Sequence, residues 1–310
     1  MFDNKVVPLF KYIGGKSWLK EQLNKDIDEI LSQHPEINTY VEPFAGGLGA
    51  FLGVHNTLLK HNIKNVIIND INHKIIVFYG IVQTNPDGLI NEYINLEKGF
   101  INTIPQECLT LHKVKDKDRI KELLQESANY YLSVRSAFNT ELNTLKMSAQ
   151  FLFLQHHCFN GIYRENSKGD YNTPFNWEAR IINENTIREK IYDVVDVFKK
   201  FSITFTIGSF EDIDFSQSAL YYLDPPYINE IEAMENAYHK DAFNLNKQLD
   251  LINLLRGKCY LYSNHYNDNL ITAFENIGYK SILKINRKNI ISASKESRKN
   301  DKIEILVKNY

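Results

Sequence analysis

The stretch from Thr39 to Asp70 constrains this chain most. Thr39 to Glu42 is a short apolar run that leads into Pro43-Phe44-Ala45-Gly46-Gly47-Leu48-Gly49; a helical pattern follows from about Leu48 to Lys60, and Asn65 to Asn69 is a second short apolar run. Strand, glycine-rich turn, helix and strand in that order predict a parallel, doubly wound α/β sheet. From about Asn72 to Gln155 the pattern changes to long amphipathic segments, notably Asp118 to Tyr131, where Ile120, Leu123, Leu124, Ala128 and Tyr131 keep helical spacing. Alternation returns at Phe201 with SITFTI, ALYYLD, a helix around Phe243 to Leu255, CYLYSN, a helix around Asn267 to Ile277, and final strands near Lys280 to Arg287 and Ile303 to Val307. One sheet built from both ends of the chain, with a helical domain inserted, is the expected architecture.

Composition sets outer limits. With 43% hydrophobic and 24% charged residues among 310, the chain can bury a core and stay soluble. The amino-terminal MFDNKVVPLFKYIGGK has no apolar h-region, and no segment is apolar for long enough to span a bilayer, so an intracellular protein is expected. Cys108, Cys158 and Cys259 are far apart and in no CxxC pair, which predicts neither a disulfide framework nor a zinc site. A net charge of -2 does not advertise nucleic-acid binding, yet Lys280, Lys284, Arg287, Lys288, Lys295, Arg298, Lys299 and Lys302 crowd one stretch against only Glu296 and Asp301.

The glycine-rich turn lies at the carboxyl end of the first predicted strand, where open α/β sheets place their ligands. About twenty residues on, the second strand ends in Asn69-Asp70, the usual place for an acid that accepts from ribose hydroxyls. Together they predict an adenosine-binding half-fold, while the lack of a strict GxGxxG argues against a dinucleotide.

Asp224-Pro225-Pro226-Tyr227 follows the apolar strand Ala219 to Leu223. Two prolines stiffen the backbone and remove two amide donors, so their carbonyls are expected to point outward beside the carboxylate. Such an acceptor platform suits an aromatic amine, whose lone pair is delocalised into its ring. Accepting from both N–H groups localises that pair towards an incoming methyl, and Tyr227 supplies a stacking face for a base taken out of the helix.

Lys11-Tyr12-Ile13-Gly14-Gly15-Lys16, then EPFAGG, then Asn69-Asp70, then DPPY at 224–227 together resemble the DNA adenine methylase (Dam) family, the α-ordered class of N6-adenine methyltransferases. The resemblance covers nearly the whole chain. It implies a Rossmann-like sheet that binds S-adenosyl-L-methionine (AdoMet), with 1–75 and 185–310 as catalytic domain and 76–184 as helical target-recognition domain. By the same resemblance Tyr12, Lys16, Phe44, Gly46 and Asp224 line the cofactor pocket, Asp70 holds the ribose, Phe210 borders the cofactor adenine, and Asp224, Pro225, Pro226 and Tyr227 are catalytic. Tyr262-Ser263-Asn264-His265 is similar to the family's short Ser-Asn motif, and Lys302 to Tyr310 to its last strand; His265 is expected at the surface rather than as a base.

Phe159 to Phe175 reads as an exposed hairpin with polar-aromatic arms around Ser167-Lys168-Gly169. Such a ribbon can enter a major groove, and Arg164 is the residue expected to read a guanine through O6 and N7. The hairpin also resembles the family's target-recognition element, about 158–176. That implies Phe159 as a wedge, Asn160 on phosphate or base, Ile162 and Pro174 on a thymine methyl, and Lys11 on a flanking guanine. Two departures stand out: His156 replaces the family's arginine ahead of the hairpin, and Asn176 its glycine after Pro174-Phe175.

The expected partner is double-stranded DNA, with GATC as the site and the basic carboxyl-terminal stretch on its backbone. A cognate restriction endonuclease and the oligomeric state stay open. Competing readings are an N4-cytosine methyltransferase, a catalytically idle DNA-binding regulator of the same fold, and an AdoMet enzyme acting on RNA or protein.

Overall fold

The computed structural model describes residues 6–12, 15–110, 117–177, 181–227, 243–287 and 302–310. Ile13 and Gly14 of the first motif, and Lys288, Lys295, Arg298 and Lys299 of the basic stretch, lie outside the described residues. In chain order the elements are α1 (Lys20–Gln33), β1 (Thr39–Glu42), α2 (Gly49–Lys60), β2 (Asn65–Asp70), α3 (His73–Thr84), α4 (Pro86–Ile101), α5 (Gln106–Thr110), α6 (Lys117–Leu123), α7 (Gln125–Phe138), α8 (Thr144–His157), α9 (Glu184–Phe198), β3 (Ser202–Ile207), β4 (Leu220–Leu223), α10 (Leu245–Leu254), β5 (Cys259–His265), α11 (Asp268–Ile277), β6 (Ser281–Arg287) and β7 (Lys302–Asn309). They form two compact units, one from 1–20, 46–55 and 72–200, the other from 21–45, 56–71 and 201–310. No helix among the described residues is long and apolar enough to cross a membrane.

The second unit holds a mixed α/β sheet of seven strands in the order β3-β2-β1-β4-β5-β7-β6. The pairings from β3 through β5 are parallel, and β7 runs antiparallel between β5 and β6. Central β1 and β4 are buried at every position, as parallel strands covered on both faces must be, whereas edge strand β3 has no fully buried position. Tyr221, Tyr260 and Tyr262 pack with Leu251 of α10, Leu255 just after it, and Leu270 and Phe274 of α11. A buried tyrosine needs a partner for its hydroxyl. Tyr221 finds one in the Gln217 carbonyl at 3.0 Å, and Tyr40 in Glu42 at 2.9 Å.

The first unit is helical. Two sequence expectations fail here. The continuous periodicity of 118–131 breaks at Leu124, with non-helical φ/ψ of -94° and 15°, so two helices stand where one was expected. And α8 is not amphipathic: from Met147 to Gln155 all but Gln150 are buried, because α8 is the central helix with α3, α4 and α7 packed around it. Asparagine sets the helix starts in both units. Asn72, Asn85, Asn143, Asn183, Asn244 and Asn267 each accept a first-turn backbone N–H, and Asn85 also closes α3 just before Pro86 opens α4.

Candidate active site

Strands β1 and β4 are neighbours, but the chain runs outward from β1 through β2 to β3 before it returns to β4. This is the topological switch point, and the crevice beyond the carboxyl ends of such strands is where open sheets bind ligands. Three of the predicted segments end there. Pro43 and Phe44 follow β1, Asp70 ends β2, and Asp224 follows β4. Asn69, only 1% exposed, ties two of the exits together, because its side-chain amide donates to the Pro43 and Gly208 carbonyls at 3.0 Å each and accepts from Thr206. The carboxylate-bearing Asp70 is further held through its carbonyl, which accepts from Gly208 N at 3.2 Å.

Phe44 lies 5.9 Å from Phe210 between ring centroids, and Phe243 closes a triangle at 5.5 and 5.6 Å from them. Phe210 is buried, whereas Phe44 and Phe243 are half-buried and keep aromatic surface to offer. Sequence reasoning missed Phe243. It sits just ahead of α10 with no motif to mark it, and it emerges only when the chain folds back.

The Asp224 corner is built from β5 and α10. Ser263 Oγ donates to Asp224 Oδ1 at 2.9 Å and lies 3.3 Å from the Tyr222 hydroxyl. The Pro226 carbonyl does not point away from the protein as expected; it accepts from Gln248 Nε2 at 2.8 Å. Gln248 is a fully buried side chain whose reach past one turn of α10 no sequence pattern announces. Tyr227 packs on His265 with ring centroids 4.2 Å apart. Burial first, and the Asp224 charge second, push the Tyr227 phenol far above its usual range, so it stays neutral.

In the first unit, Gly46 takes φ +47°, and an added Cβ would meet the Tyr12 ring at 2.9 Å; at Gly47 it would meet Tyr12 Cβ at 2.8 Å. Glycine here makes room for Tyr12. Lys16 is buried at 4% exposure, a lysine inside rather than on a helix start. Lys11 packs on Gly161, where a Cβ would come within 2.9 Å of its own Cβ. Residues 150 apart in sequence thus meet at the base of the hairpin.

The hairpin itself carries two antiparallel bridges, Cys158 with Phe175 and Glu165 with Tyr171, around a turn in which Asn166 accepts from the Lys168 and Asp170 amides. Tyr171, Thr173 and Phe175 face inward, whereas Asn160, Arg164 and Pro174 are exposed and Ile162 is half-buried. Phe159 is 48% exposed, and Asn160 beside it holds φ +58°. Arg164 Nε donates to Asn172 Oδ1 at 2.7 Å, which fixes the guanidinium on the outer face.

Comparison with known proteins decides among chemistries. A family model described as D12 class N6 adenine-specific DNA methyltransferase matches residues 12–294. The chain belongs to that family. It is 31% identical to the type II methyltransferase M.MjaIII of Methanocaldococcus jannaschii, over 99% of this chain and 100% of that protein. It is 28% identical to the DNA adenine methylase of Haemophilus influenzae, over 81% and 74%. The type II methyltransferase M1.LlaDCHI of Lactococcus lactis subsp. cremoris is 26% identical over 79% and 74%.

Membership in the D12 family sharpens the departure at His156. Its Nε2 is 2.9 Å from the Leu9 carbonyl and its Nδ1 is 2.8 Å from the Tyr93 hydroxyl. Desolvation lowers its pKa to about 4. A neutral ring that donates to Leu9 and accepts from Tyr93 has no charge for a phosphate; it anchors the segment that leads into Lys11 and Tyr12. At Asn176 the backbone N–H donates to the His157 carbonyl at 2.9 Å, a bond a glycine could also make.

Proposed function

We propose that this D12-family adenine methyltransferase moves a methyl group from AdoMet to the N6 amine of an adenine flipped out of duplex DNA, with GATC as its site. The observation that carries the reading is the Asp224–Tyr227 corner, at the carboxyl end of β4 beside the switch point, with its carboxylate held by Ser263.

AdoMet fits the strand ends on the groups they offer: a carboxylate at Asp70 to accept from ribose hydroxyls, and partly exposed rings at Phe44 and Phe243, backed by Phe210, for an adenine. When bound, it supplies a methyl group already activated on a sulfonium sulfur. Tyr12, Lys16 and Gly46 keep the cofactor contacts implied by their motifs.

Asp224 and the Pro225 carbonyl accept the two N6 hydrogens and hold the amine so that its lone pair turns out of the ring. The proton that the amine would shed on taking up the methyl group would leave on the Asp224 side. Tyr227, neutral throughout, stacks on the flipped base. Arg164 reads a guanine; Lys11, Phe159, Asn160, Ile162 and Pro174 contact the flanking DNA. The cytoplasm is the expected location of such work.

The test is direct. The protein is incubated with methyl-labelled AdoMet and unmethylated duplex DNA, which is then digested to nucleosides. Label in N6-methyladenine, lost when the GATC sites are removed, is the expected result. Label in N4-methylcytosine, or none, refutes the reading.

A further inference from the structure

The acceptor corner has a second anchor, distinct from the carboxylate. Asn264 Nδ2 donates to the Tyr262 hydroxyl at 3.0 Å and to Gln248 Oε1 at 3.1 Å, and the Tyr262 hydroxyl in turn donates to Gln248 Oε1. Asn264 Oδ1 is occupied by His265 N at 2.7 Å, which sets the orientation of that amide. With two donors converging on Oε1, the Gln248 amide can face only one way, and Nε2 is left to donate to the Pro226 carbonyl at 2.8 Å. Gln248, Tyr262 and Asn264 are all buried. A buried chain of this kind, with its donors and acceptors matched, has one low-energy arrangement.

From this geometry we propose that Gln248 is the positioning residue for the amine-acceptor corner: its amide commits the Pro226 carbonyl to the scaffold and so presents the preceding carbonyl, that of Pro225, to the substrate amine. Proline fixes φ at both positions, so pinning the second carbonyl leaves the first peptide little freedom to rotate. The inference rests on the reading of Asp224–Tyr227 as the site of methyl transfer.

The test compares Gln248→Glu and Gln248→Met in the full chain. Both keep the length of the side chain. Glutamate keeps the acceptor for Tyr262 and Asn264 but turns an oxygen towards the Pro226 carbonyl, whereas methionine loses both ends. If Gln248 merely satisfies its buried neighbours, glutamate is tolerated and methionine is not. If it positions Pro226, both lower kcat by about 10- to 100-fold, the scale on which small misplacements at a reacting centre are felt. AdoMet affinity by calorimetry and KM for DNA should stay within about threefold of wild type, since only a transition-state interaction is lost.

A Gln248→Glu enzyme with wild-type kcat overturns the inference, as does a loss confined to KM or to AdoMet affinity. Should either variant fail to fold, Gln248→Ala decides by the same readouts: it takes the side-chain donor away from the Pro226 carbonyl, and an unchanged kcat overturns the inference. Wild-type protein run in parallel separates the two levels of failure. If it methylates no adenine, the functional reading fails; if it does and the Gln248 variants keep pace, only the positioning role fails.

Discussion

His156 makes the stability of the helical unit depend on acid. Its folded-state pKa is lowered by desolvation to about 4 from an ordinary 6.5. A histidine depressed in this way binds fewer protons folded than unfolded between those values, so the stability it permits is intact above pH 6.5 and is lost as pH falls towards 4. Between pH 7 and pH 5 the linkage amounts to about 2 kcal/mol for a fully desolvated ring, and about 1–2 kcal/mol for one that keeps some exposure. Protonation also forces Nδ1 to donate where it now accepts from Tyr93, so the cost falls on the anchor of the Leu9 segment. Both tryptophans, Trp18 and Trp177, belong to this unit, so urea unfolding followed by tryptophan fluorescence reports on it. His156→Gln, which keeps a donor for Leu9 and does not titrate, is the reference. Wild type should lose about 1–2 kcal/mol more than His156→Gln between pH 7 and pH 5. Equal losses would refute the assignment of a desolvated neutral ring.

Three further outcomes follow from the site. Asp224→Ala should lower kcat by about a thousandfold or more while the thermal midpoint and DNA binding hold, as expected for an acceptor that acts on the reacting amine. Arg164→Ala should relax preference at one base pair by about 1–3 kcal/mol in competition assays on single-substituted sites; an equal loss on all sequences would make it a phosphate contact. Gly46→Ala places a methyl 2.9 Å from the Tyr12 ring at a φ that disfavours alanine, so it should displace Tyr12 and weaken AdoMet binding in calorimetry, and unchanged binding would remove Tyr12 from the cofactor set.

Much of the sheet was legible because its signals are local. The apolar runs at 39–42 and 202–207 stop where the strands stop, and Asp70 and Asp224 fall at strand ends because polar residues terminate buried parallel strands. What the sequence hid is relational. A helical repeat continues through Leu124 without a proline or glycine to show the break. The six buried residues of Phe151 to His157, all but His156, look like any apolar helix until three others close around it. Gln248 carries no motif, and the Asn69-Asp70 pair does not show what Asn69 does, since the work of both amides is to bond carbonyls, 22 and 26 residues away. His156 could be seen as a departure from the D12 pattern, but not as a clamp, because its partners Leu9 and Tyr93 lie far off in the chain.

These hidden residues bear on why the visible motifs work. Glycines and prolines shape the backbone at the strand ends, but shape alone leaves carbonyls free to choose partners, and an acceptor that can turn to water or to its own loop is a poor one for a substrate amine. Buried amides remove that choice. Asn69 spends its donors on Pro43 and Gly208, and Gln248 spends one on Pro226, so the loops after β1, β3 and β4 each have one carbonyl committed to a side chain inside the fold. Preorganisation of this kind costs nothing at the moment of reaction, because the ordering was completed on folding. It also predicts where motif-preserving variants can fail: a chain with DPPY intact but Gln248 or Asn69 replaced should bind its ligands and turn over slowly.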